Sequence, residues 1–264
     1  MSQANRKIAP LPNPDKRSVA LLLTFVAGSV DVIGYLTIQH VFTAHVSGLT
    51  AHLGIDLTAR DWGNVVIGAS VIGAFLVGSI LGRVIIEVGA GANFRRIASA
   101  TLGLEMMLLL IFIVGNEAHL ARVSDLSVRN AALLLAVLGC AMGIQTATLT
   151  RVGSLTIHTT FVTGMINKLA QQFSHLVFES YALYKVSSDR KSHYRALRNN
   201  SASQVAFFSS IWILYLLGAV AGSILDRRIG LSALYVGIFL LAGAITVDWA
   251  HPLAIEEEHD QSEQ

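Results

Sequence analysis

Asp31 lies within an apolar run that extends from residue 18 to residue 38. An ionised carboxylate in hydrocarbon costs several kcal/mol unless it meets a partner or water, or takes up a proton. The sequence therefore marks Asp31 as the leading candidate for ion or proton coupling, with a hydrogen bond to a neighbouring helix as its structural alternative. Gln145 holds a nearly corresponding position in a later apolar run. It can donate and accept but cannot titrate, so a site built from both would be asymmetric. Two polar segments place hydroxyls beside a glycine: Thr43, His45, Ser47, Gly48 and Thr50 in the first, Thr159, Thr160, Thr163 and Gly164 in the second. A helix interrupted there exposes backbone groups, which a bilayer tolerates where they line a wet cavity or are buried in protein. Half-helix ends of that kind hold an anionic solute or a coupling cation. The alternative is that the hydroxyls bond back to their own helix or serve as small packing surfaces.

His45 and His52 are seven residues apart and share a helix face, with His158 on the second polar segment. Imidazoles suit proton relays and transition metals. No His-x3-His pair or carboxylate cluster completes a ligand set, so neither metal nor cofactor is assigned. Glu105 interrupts another apolar run, where a basic partner and a proton-transfer role are equally open. Lys168 is a candidate counter-charge for Asp31 if the two halves of the chain pack face to face. The sequence contains no nucleophile elbow, zinc-protease helix, phosphate loop or dinucleotide fingerprint, and the expectation is a protein that is not an enzyme.

Elements able to position these residues follow from composition. Of 264 residues, 53% are hydrophobic and only 14% charged, where a soluble domain carries about 25% charged residues. The mean hydropathy is +0.58. Six stretches approach the roughly 20 apolar residues that cross a bilayer: about 18–38, 62–86, 96–115, 130–150, 204–225 and 229–249. The polar segments, about 41–58 and 155–178, are helices of a different kind that either cross or dip in and return. All four prolines lie outside the apolar region, and the single cysteine excludes an intramolecular disulfide framework. Gly78/Gly82, Gly139/Gly143 and Gly218/Gly222 have the spacing that lets helices approach closely.

The chain reads as two related units, about 18–115 and 129–249, between a polar tail 1–17 and an acidic tail 250–264. Val46-Ser47-Gly48-Leu49 corresponds to Val162-Thr163-Gly164-Met165, and Gly78-Ser79-Ile80-Leu81-Gly82-Arg83 to Gly222-Ser223-Ile224-Leu225-Asp226-Arg227. Six crossings make the units inverted and eight make them parallel; six is preferred. Basic residues place the amino terminus and the loop containing Lys185, Arg190, Lys191, Arg195 and Arg198 in the cytoplasm. That segment reads as a membrane-surface anchor, not a nucleic-acid patch.

Gly28-Ser29-Val30-Asp31-Val32-Ile33-Gly34-Tyr35-Leu36 and Val41-Phe42-Thr43-Ala44-His45-Val46-Ser47-Gly48 resemble the opening signature of the YoaK-type family, bacterial inner-membrane proteins catalogued as a domain of unknown function. Ala141-Met142-Gly143-Ile144-Gln145 and Thr159-Thr160-Phe161-Val162-Thr163-Gly164 are similar to its later signatures. The family has Met-Thr-Gly-Asn where this chain has Val46-Ser47-Gly48-Leu49, so no role of that amide carries over to Leu49. The resemblance implies a multi-spanning inner-membrane protein and supplies no activity. The expectation is an all-α polytopic transmembrane bundle of six strong apolar helices and two shorter polar or re-entrant ones. Its leading function is a secondary carrier of a small polar or anionic solute. A coupling proton or cation, membrane lipid and a second copy of the chain are the expected partners. A non-transporting scaffold or partner subunit is the competing class.

Overall fold

The computed structural model describes residues 14–92, 94, 96–120, 127–148, 151–152, 155–156, 162–186 and 188–253. His158, Thr159, Thr160, the first 13 residues and the acidic tail from residue 254 lie outside them.

Helix α1 (Pro14–Thr37) begins on a proline, whose missing N–H needs no partner in a first turn, and carries Asp15 where the helix dipole favours an acid. A non-helical stretch, residues 38–45, leads to α2 (Val46–Ala59), which ends with Arg60 in the left-handed conformation at φ 58°. Asp61 then caps α3 (Trp62–Gly91), accepting the Asn64 N–H at 3.2 Å. Next come α4 (Ile97–Leu120) and α5 (Val128–Thr148). Two-residue strands, β1 (Arg151–Val152) and β2 (Leu155–Thr156), pair antiparallel. They are a small departure from an all-α expectation. Helices α6 (Val162–Lys185) and α7 (Ser188–Ile229) follow, then a 3-10 turn Gly230–Ala233 and α8 (Leu234–Ala250).

Among the described residues, five helical stretches are long and apolar enough to cross a membrane: α1, α3, residues 97–118 of α4, α5, and the stretch 190–250 that contains α7 from residue 190, the 3-10 turn and α8. The basic segment after Lys185, expected as a loop, is instead the first turns of α7. The apolar span continues it without a break because residues 188–203 contain neither Gly nor Pro to stop a helix. Large apolar side chains such as Leu76, Ile80 and Val84 on α3 and Leu216, Val220 and Ile224 on α7 are exposed. In water such rows would be a liability. In a bilayer they are the lipid-facing surface.

The most extensive packing is α1 against α7 and α3 against α5. Lipid offers no hydrophobic drive for helices to associate, so close approach through small residues must hold them. A side chain at Gly28 would meet the Tyr215 carbonyl of α7, and one at Gly218 the Phe25 carbonyl of α1. Gly78 faces Cys140 and Gly143 faces Phe75 and Ser79 in the same backbone-to-backbone manner. The glycine spacings read as packing motifs are where these helices meet. Helix α4 lies against α5 and α8, α8 against α1, α2 against α3, and α6 against α7.

Gly143→Val is expected to lower the apparent unfolding temperature of the purified protein, at a cost of about 1–3 kcal/mol or more from overpacking against backbone. Gly103→Val, at a position with nothing within 4 Å, is expected to leave it nearly unchanged. Equal effects at the two positions would contradict the packing assignment.

Candidate functional site

The end of α1 is a forced break. Gln39 and His40 both take left-handed backbone conformations, φ 53° and 52°, which cost a non-glycine residue roughly 1–2 kcal/mol each. The turn sends the chain back along α1, so that Thr43 and Ala44 come level with Asp31, six residues or about 9 Å before the helix end. Both bring backbone N–H groups with no helical acceptor.

Asp31 supplies one. Its Oδ1 accepts the N–H of Thr43 at 2.8 Å, the N–H of Ala44 at 3.0 Å and the Thr43 hydroxyl at 3.2 Å. Its Oδ2 accepts the Tyr215 hydroxyl of α7 at 2.9 Å and lies 2.8 Å from His45 Nδ1. Asp31 and Thr43 are fully buried. Every neighbour presents a donor, which is the environment that makes charge-assisted hydrogen bonds strong. The carboxylate is thus the cap of a non-helical segment and a bond between α1 and α7.

His45 reaches outward from the same cluster. Its side chain is 44% exposed and lines a cavity of about 530 Å³ between the end of α1, α2 and the start of α3. The sequence marked Asp31 itself as the coupling group. The structure instead seals Asp31 and interposes His45 between carboxylate and cavity. Rings continue the connection: Phe42 meets His45 edge-on with centroids 4.8 Å apart, and Tyr35 stacks on Phe42 at 4.2 Å. The hydrogen bond to Asp31 lifts the His45 imidazole above its ordinary pKa of 6.5; burial works against that rise, and the Asp31 charge adds to it.

The other expected residues divide. Gly48 lines the cavity, as does His52 one turn further along α2. Ser47 is exposed beside them, and Thr50 returns its hydroxyl to the Val46 carbonyl at 2.8 Å. Gln145 is fully buried but remote from Asp31: its Nε2 donates to the Leu23 carbonyl at 2.9 Å, about two turns back along α1. Thr163 and Gly164 form the first turn of α6 and do not line the cavity. Thr160 lies outside the described residues. Lys168 is not among the partners of Asp31; His45 and Tyr215 take the role expected of it. Glu105 is fully buried in α4, and neither carboxyl oxygen has a hydrogen-bond partner among the described residues. No group of three metal-ligating side chains occurs among them.

Tyr215 was missed from sequence. The available signal was its single hydroxyl within the run Ile211-Trp212-Ile213-Leu214-Tyr215-Leu216, because a buried phenol needs a hydrogen-bond partner. Which partner it takes, 184 residues away, is set by helix packing alone.

Long apolar helices with lipid-facing side chains around a buried polar cluster define a multi-pass helical membrane protein. The chain belongs to the family described as protein of unknown function DUF1275, whose model matches residues 19–247. It is 25% identical over 232 residues to a UPF0700 transmembrane protein, YoaK, of Bacillus subtilis (strain 168), covering 86% of this chain and 92% of that one. No solved structure matches.

Tyr215→Phe removes one hydrogen bond to a charged acceptor and is expected to destabilise the protein by about 1.5–3 kcal/mol, read from thermal unfolding in detergent. His45 has a folded pKa above its unfolded value, so its contribution is fully present below pH 6.5 and is lost as pH rises through the raised value. The stability of wild type over His45→Gln is therefore expected to shrink as pH rises above 6.5. A difference that grew over this range would contradict the assignment.

Proposed function

We propose that this protein is a secondary carrier of a small polar or charged solute across the bacterial inner membrane, with the Asp31–His45 pair as its proton-coupling element. The observation that carries this reading is the connection itself. A buried carboxylate is hydrogen-bonded to an imidazole in the cavity wall, at a backbone break that folds back beside the last two turns of an apolar helix. Protonation of His45 from the cavity gives Nδ1–H···Oδ2 the character of an ion pair, and loss of that proton weakens the contact that holds the turn. A proton thereby gains influence over the strained segment. No phosphate-binding loop is present in the sequence, so an ion gradient or the solute's own gradient supplies the drive, and the solute crosses chemically unchanged.

In this reading the chain crosses six times, through α1, α3, α4, α5, the apolar part of α7, and α8, with the amino terminus and the basic start of α7 at the cytoplasmic face. The two units, about 18–115 and 129–249, are inverted repeats. The packing supports a two-fold relation between the units, in either orientation: exchanging α1 with α5, α2 with α6, α3 with α7 and α4 with α8 converts the α1–α7 contact into α5–α3. It also converts α4–α5 into α8–α1 and α2–α3 into α6–α7. Membrane lipid, a proton, the solute and a second copy of the chain are the partners; nucleic acid is not.

The scaffold reading also has an observation in its favour: Asp31 is saturated by five contacts from four residues, as a purely structural cap would be. Accessibility separates the two. On a Cys140→Ser background, Ser47→Cys and Thr163→Cys are treated with a membrane-impermeant thiol reagent in right-side-out and inverted vesicles. A carrier labels at each position from both sides, and His45→Phe biases labelling to one side. Labelling confined to one side in every variant would refute the carrier.

A further inference from the structure

Taking the cavity as the carrier's solute site, we propose that it takes a small organic cation with a planar or ring body, an aryl amine or a nitrogen heterocycle carrying positive charge, and rejects anions. The sequence alone left an anionic solute open. The lining decides otherwise, because among the described residues it holds one acid, Asp56, and no lysine or arginine. Behind His45 stands a second carboxylate, Asp31, at 2.8 Å. With the lining histidines His40, His45 and His52 neutral, Asp56 and the Asp31 behind His45 leave the cleft net negative, and low-dielectric walls focus that charge on cations.

The walls add recognition of shape. Tyr35 and Phe42 present a stacked aromatic pair, with His40 edge-on to Tyr35 at 5.2 Å, and a cation within about 6 Å of such faces is attracted by the ring quadrupole. Asp56 lies eleven residues beyond His45 along α2, about 16 Å away. The cavity therefore has an aromatic end and an acidic end. Gly48 faces it with nothing within 4 Å of where a side chain would stand, which leaves the floor open for a ring. The volume of about 530 Å³ falls in the range of small-molecule sites. No metal is implied, since no three-ligand cluster forms among the described residues.

The test uses full-length protein in detergent at about pH 9, to favour the neutral imidazole even at the raised His45. Three probes with the same ring are titrated calorimetrically: benzylamine, phenyltrimethylammonium and benzoate. Both cations are expected to bind at least about tenfold more tightly than benzoate, a difference of about 1.4 kcal/mol. Asp56→Asn and Phe42→Ala are each expected to weaken the cations several-fold, and Gly48→Leu to abolish binding by filling the cavity. Circular dichroism and size-exclusion profiles matching wild type establish that each variant is folded. Benzoate binding as tightly as the cations, cation binding indifferent to Asp56→Asn, or no binding of any probe would each overturn the proposal. Cation binding by a protein that fails the two-sided labelling test would refute the carrier and leave this ligand class standing.

Discussion

A polypeptide that leaves its helix under the cover of other segments strands N–H groups where water cannot reach them, and each stranded group costs free energy comparable to a lost hydrogen bond. In this protein that cost falls on Thr43 and Ala44, and the Asp31 carboxylate offsets it with one oxygen. The problem of a buried acid and the problem of unpaired backbone donors are solved by bringing them together. The left-handed pair at Gln39 and His40 can persist because that bond holds the far side of the turn. The cavity, the placement of His45 and the direction of α2 all follow from the same contact.

The second oxygen ties this local arrangement to the bundle. Tyr215 reaches Asp31 with its hydroxyl, while its own backbone carbonyl rests where a side chain at Gly28 would stand. Gly28 and Asp31 are one turn apart on α1, so a single close approach sets both the helix separation and the hydrogen bond. A larger residue at position 28 would push α7 away and take the phenol with it. Packing and polar chemistry are coupled here through one residue of α7, so a shift of α7 against α1 would register at the His45 contact and hence at the cavity.

The importance of Asp31 was legible because a lone carboxylate in an apolar run violates the hydrophobic pattern at a single position. Thr43, His45 and Gly48 were legible because their segment is too polar for a lipid-facing helix. Gln145 does reach α1, but at Leu23, about two turns from Asp31, because correspondence in sequence does not fix the level at which two helices meet. The counter-charge expected from Lys168 rested on the assumption that the halves meet face to face. The continuous α7 was concealed by its polar start, since composition separates a loop from a span but does not separate a loop from an exposed helix. Membership of a family of multi-pass proteins was readable from four short signatures, whose described residues lie on a helix start, a glycine contact or the Asp31 cluster.

Amide hydrogen exchange over residues 38–46, compared between the wild-type protein and Asp31→Asn in the same lipid nanodiscs, tests the central claim most directly. If the carboxylate holds the break, the Thr43 and Ala44 amides exchange about a hundredfold faster in the variant, as loss of roughly 3 kcal/mol of local protection requires. The middles of α3 and α5 remain unchanged. Equal exchange at Thr43 and Ala44 in the two proteins would contradict the account.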